Sequence, residues 1–101
     1  MKAYISISFG KRESMNAEVR SITETLDKFN IKSFVFVDRF TFSSAQEKEM
    51  MQAAMKAIDE CDLLIAETSG KGIGIGIEVG YAKAKSKPLI YLRNKDRKSV
   101  V

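Results

Sequence analysis

A chain of 101 residues, 45% hydrophobic and 30% charged with one proline, has the size and make-up of a single ordered domain spanning 1–101, too short for separate catalytic and regulatory parts. It has no histidine, which removes Ser/His and Cys/His nucleophile pairs and the commonest transition-metal ligand, and its one cysteine, Cys61, excludes an internal disulfide and a cysteine-based zinc site. The net charge of +4 is concentrated in 83–98, where seven Lys and Arg face one Asp; the stretch reads as a solvated basic face, with a phosphorylated small ligand as the next reading and nucleic acid as the least favoured partner.

No apolar run reaches the ~20 residues of a membrane span, and the amino terminus does not read as a secretion signal. A cytoplasmic protein without a membrane partner is expected.

Residues 2–8, KAYISIS, alternate and are β-branched enough for a first strand ending near Ser8, after which FGKRES reads as a loop. Met15, Val19, Ile22, Leu26 and Phe29 step by 4, 3, 4 and 3, which predicts an amphipathic helix over about 13–29 with Asn30 at its left-handed end. SFVFV at 33–37 reads as a buried strand ending at Asp38. Ser44, with Glu47 three residues on, forms a capping box for a second helix whose buried face is Met51, Ala54, Met55 and Ile58. CDLLIAE at 61–67 predicts a third strand, the glycine-rich stretch leads into a third helix to about Ser86, and PLIYL at 88–92 predicts a fourth strand.

Strands alternating with helices imply an α/β fold with a doubly wound parallel sheet in the flavodoxin-like order 2-1-3-4. In such sheets ligands sit beyond the carboxyl ends of the strands where the winding reverses, which collects 8–12, Asp38, 67–76 and the loop after Leu92.

The sequence GKGIGIGIEVGY at 70–81 raises a phosphate question, because bare main-chain N–H groups at a helix start attract anions. The dinucleotide fingerprint fails from any of its glycines, since 75 and 77 are isoleucine and 79 is valine, and a Walker loop fails because Gly72 follows Lys71. What remains is a place where a ligand can approach the main chain at Gly72, Gly74 and Gly76, followed by a lone acid, Glu78, expected in the first turn of an apolar helix. A carboxylate there is expected to stay ionised by the helix end and to act as a nucleophile or hydroxyl acceptor. The bland reading, in which Glu78 only complements the helix dipole, needs no glycines ahead of it.

The segments GIGIGIEVGYAKAKSKPLIYL, AYISIS and ECDLLIAE together resemble the nucleoside 2-deoxyribosyltransferase superfamily, which includes the 2′-deoxynucleoside 5′-phosphate N-hydrolases. The resemblance covers most of the chain in order and spacing. It implies that Glu78 attacks the anomeric carbon of a deoxyribose and displaces the base, that Tyr4 orients this carboxylate, and that Ser8, Phe9 and Gly10 contact the sugar or its 5′-phosphate. It implies no cofactor and no metal. It also implies a homodimer or higher homo-oligomer in which a partner subunit completes each site, with Ser99 as a candidate donated contact.

The chain departs from the pattern at three places. The carboxylate thought to protonate the departing base falls on Ala54, leaving Asp38 or Glu47 as substitutes; the position six before the nucleophile is Gly72; and the first-loop arginine of the hydrolases is Gly10, which leaves main-chain N–H groups with Lys11 or Arg12 for a phosphate. Relatives continue with a further strand and helix after the fourth strand, so a truncated sheet with one bare edge is expected. Two functions stay open: an enzyme that cleaves or transfers the base of deoxynucleosides or their 5′-monophosphates, and a non-catalytic module of the same fold that binds a nucleotide or phosphoryl ligand. A flavin-binding or receiver-like domain is a third, more distant reading.

Overall fold

The structure, a computed structural model, describes residues 1–39, 44–68 and 73–93. Its strands are β1 (Lys2–Ser6), β2 (Lys32–Val35), β3 (Leu63–Glu67) and β4 (Leu89–Leu92), and its helices are α1 (Asn16–Lys28), the single turn α2 (Phe36–Arg39), α3 (Glu47–Glu60) and α4 (Ile73–Ala84). All strand pairs are parallel and the order is β2-β1-β3-β4, as the alternation of elements predicts.

The two faces of the sheet bury different residues, as strand period two requires. Tyr4, Leu64 and Ala66 face α3 and α4, packing with Ala54, Ala57, Ile58, Ile75 and Ala82. Ala3, Ile5, Ile7 and Ile65 face the other way and pack with Met15, Val19 and Leu26 of the α1 side. Beside β4 this second face opens into a groove of about 360 Å³ bordered by Ile22, Leu92 and Arg93.

Several local expectations are corrected. FGKRES is not a loop: Phe9–Met15 is a 3₁₀ helix that hands over to α1 at Asn16. Phe29, expected as the last core residue of that helix, is 70% exposed. The chain leaves the helix at Phe29, whose N–H bonds back to Leu26 O, and Asn30 takes the left-handed conformation expected of it (φ 59°), so the helical stripe no longer governs where Phe29 points.

The apolar run SFVFV is also split. Its strand stops at Val35, and Phe36 and Val37 start α2, because a short continuous apolar run does not distinguish a strand from a helical turn. Helix α3 starts at Glu47 with Gln46 at its N-cap and no side-chain capping bond, after a 3₁₀ turn at Ser44–Gln46, so the expected capping box is not the helix start. On α3 the buried face is Ala54, Ala57 and Ile58, with Met51 and Met55 only half-buried.

Candidate active site

Strand β1 lies between β2 and β3, and alternation puts Tyr4 and Ser6 on one face. Both are essentially fully buried. The Tyr4 ring is packed by Phe34, 5.8 Å away between centroids, and by Phe36 at 6.0 Å, which confines the phenol to one direction.

Helix α4 supplies the acid. It begins at Ile73, so Gly74 and Gly76 lie inside it rather than in a loop ahead of it, and Glu78 is in its second turn rather than its first. Glu78 shares the inward side of α4 with Ile75 and Ala82, both buried, and its carboxylate meets β1. The Tyr4 hydroxyl donates to Oε2, and Ser6 Oγ donates to Oε1 at 2.9 Å.

The two donors and the burial act in opposite directions. Burial, the larger influence, pushes the Glu78 carboxyl above its ordinary value, while the Tyr4 and Ser6 hydrogen bonds pull it back down. The helix end therefore does not hold Glu78 ionised in the expected way; the carboxylate is made harder to ionise and is steadied by two hydroxyls. Burial, and after it the negative charge of Glu78, pushes the Tyr4 phenol far above its ordinary range, so Tyr4 keeps its proton and remains a donor.

Ser6 was not among the residues singled out from the sequence. The signal was present, because period two from Tyr4 puts Ser6 and Ser8 on the same face of the first strand. Ser8 is buried just beyond β1. Gly10 is exposed in the 3₁₀ helix that Phe9 opens, and Gly76 is exposed on α4. Gly72 and Ser99 lie outside the described residues.

Asp38 is engaged elsewhere. Its carboxylate takes Arg12 Nε at 2.7 Å and Arg12 Nη2 at 2.8 Å, while Arg12 Nη1 reaches Asn16 Oδ1 at 2.7 Å. This bidentate pair ties the 3₁₀ helix after β1 to the turn after β2 and occupies the guanidinium named as a phosphate anchor. Ala54 is buried in the same apolar cluster as Tyr4, and Glu47, the other substitute acid, is exposed at the start of α3.

A half-buried carboxylate held by two hydroxyls can form a bond to an electrophilic carbon. Among the described residues no group of three or more His, Cys, Asp or Glu is placed to hold a metal ion, and no helix is long and apolar enough to cross a membrane.

A family model described as nucleoside 2-deoxyribosyltransferase matches residues 4–101. Among solved structures the chain is similar in fold to the Clostridium botulinum CMP N-glycosidase BcmB, with a TM-score of 0.64 and 24% sequence identity over 92% of this chain and 71% of that one. No curated protein matches the chain.

Proposed function

Because the chain belongs to the nucleoside 2-deoxyribosyltransferase family, we propose that it is an enzyme of the N-glycosidic bond, acting on deoxynucleosides or their 5′-monophosphates with Glu78 as nucleophile. The observation that carries the reading is the pairing of Glu78 with Tyr4: an acid on the inward side of a helix, packed against a central strand and held by a phenol that stays protonated.

In the first half-reaction an oxygen of Glu78 forms a bond to C1′ as the C1′–N bond breaks, and the electron pair leaves with the base. In the second, water or another base attacks C1′ and the pair returns to the carboxylate. Tyr4 holds Glu78 in line and stabilises its ionised form. With Ala54 in the core, protonation of the departing base falls to water or to an acid near the strand ends, and Asp38 serves only after releasing Arg12.

The test is release of free base from a panel of deoxynucleosides, their 5′-monophosphates and CMP, the last suggested by the name of the structural neighbour. Wild type is expected to release base from at least one, and Glu78→Ala from none. Base release that survives in Glu78→Ala removes Glu78 as nucleophile. Tight binding of a nucleotide without base release by the wild type favours the second reading, a binding module, which the buried Ala54 and the occupied Arg12 support.

A second copy of the chain is the partner we infer. Among the described residues β4 is an edge strand, and Ile90, Tyr91 and Leu92 on it are exposed.

A further inference from the structure

Every residue from Ala3 to Ile7, in β1 and just past its end, is buried, and Ser6 is the one among them with an aliphatic hydroxyl. A hydroxyl this deep is costly unless bonded, and a buried serine in a strand otherwise made of Ala, Ile and Tyr calls for a partner. That partner is Oε1 of Glu78, while Tyr4, about 6.6 Å back along the same face, holds Oε2. The carboxylate is straddled by two donors from one rigid strand.

The end of a glutamate side chain turns in a broad, two-fold well. One donor leaves the carboxylate plane free to swing about the held oxygen, whereas two donors on different oxygens fix it. We propose that Ser6 is a positioning residue of the reaction: it fixes the plane of the Glu78 carboxylate and assists that carboxylate as leaving group in the second half-reaction.

The inference rests on Glu78 being the nucleophile. When the C1′–O bond forms, negative charge leaves the carboxylate, and the Ser6 hydrogen bond weakens. When that bond breaks, the electron pair returns to the carboxylate and the hydrogen bond strengthens, while Ser6 keeps its own proton throughout. A donor on the departing carboxylate therefore favours release of the sugar.

No charged side chain acts on Glu78 among the described residues. From β1 it meets Tyr4 and Ser6; β3 brings Leu64 and Ala66 to the same cluster, α3 brings Ala54, Ala57 and Ile58, β4 brings Leu89, and the other titratable groups packed there are Cys61, beside Tyr4, and Tyr81 of α4, whose hydroxyl donates to Asp59.

Two measurements on Ser6→Ala, with Ser6→Cys as a near-isosteric weaker donor, test the proposal. In the substrate-free protein, carbon-13 NMR titration of the Glu78 carboxyl is expected to move up by about half a unit or more in Ser6→Ala and by less in Ser6→Cys. With a cleaved substrate, Ser6→Ala is expected to lose about 10-fold in kcat, with KM falling alongside and glycosyl-enzyme accumulating in the intact mass. An unchanged titration, or an unchanged kcat with no accumulated intermediate, overturns the role. A shifted titration alongside base release that survives Glu78→Ala separates the two ideas: Ser6 then positions Glu78, and Glu78 is not the nucleophile.

Discussion

Glu78 pays in stability for its position in the site. Its ordinary value is 4.5 and burial raises it, so the folded protein binds a proton there at pH values where the unfolded chain has released it. The stability associated with this group is full below pH 4.5 and declines as pH rises from there through the raised folded value. Glu78→Gln is expected to melt above wild type at pH 7 and close to it near pH 4 by calorimetry, while base release falls by about 10³-fold or more. Equal melting at both pH values would show that the carboxylate carries no burial penalty. Glu78 stood out in the sequence as a lone acid in an apolar helix, whereas Tyr4 was singled out only through the family resemblance; the structure brings the two side chains together. Ser6 was not singled out, because period two tells which residues share a face but not what lies opposite, and its partner is 72 residues away.

Helix α4 shows why element boundaries are harder to read than element types. Alternating glycines look like a loop, yet Gly74, Gly76 and Gly80 are helical, and no described glycine has a positive φ. An added Cβ at Gly76 or Gly80 meets nothing within 4 Å, so neither is required by the packing of its own chain. Gly76→Ala and Gly80→Ala should each stabilise the protein by roughly 0.5–1 kcal/mol, read in urea melts. If a ligand approaches the main chain at Gly76, that substitution alone should raise KM; equal KM values for both would remove Gly76 from the candidate site. The strands, by contrast, were found within about two residues of their observed ends. Only the run that continues into α2 misled, because Phe36 and Val37 are apolar for packing beyond the sheet.

Across the whole molecule, the strand order followed from the β/α alternation together with right-handed crossovers in a doubly wound sheet, and the exposed side of β4 is where a partner would be felt. Leu64 N donates to Pro88 O and Thr68 N to Leu92 O, so alternation turns the main-chain groups of Leu89 and Tyr91 outward. Ile90 and Tyr91, exposed beside them, make this edge adhesive. Ile90→Lys is expected to convert an oligomer to monomer by light scattering while leaving the fold intact; a wild type that is monomeric at micromolar concentration refutes the association.

The residues that hold the Glu78 carboxylate sit on β1, hydrogen-bonded on both sides by β2 and β3. Amide protons of a doubly flanked strand exchange with solvent only when the domain opens as a whole, whereas edge strands and terminal turns open locally. The Tyr4 and Ser6 amides should therefore exchange at the global unfolding rate and those of β4 much faster. Rising urea should abolish the Tyr4–Glu78 contact and the sheet at one midpoint, so that the protein has no partly unfolded state that keeps its sheet and loses the pairing at Glu78.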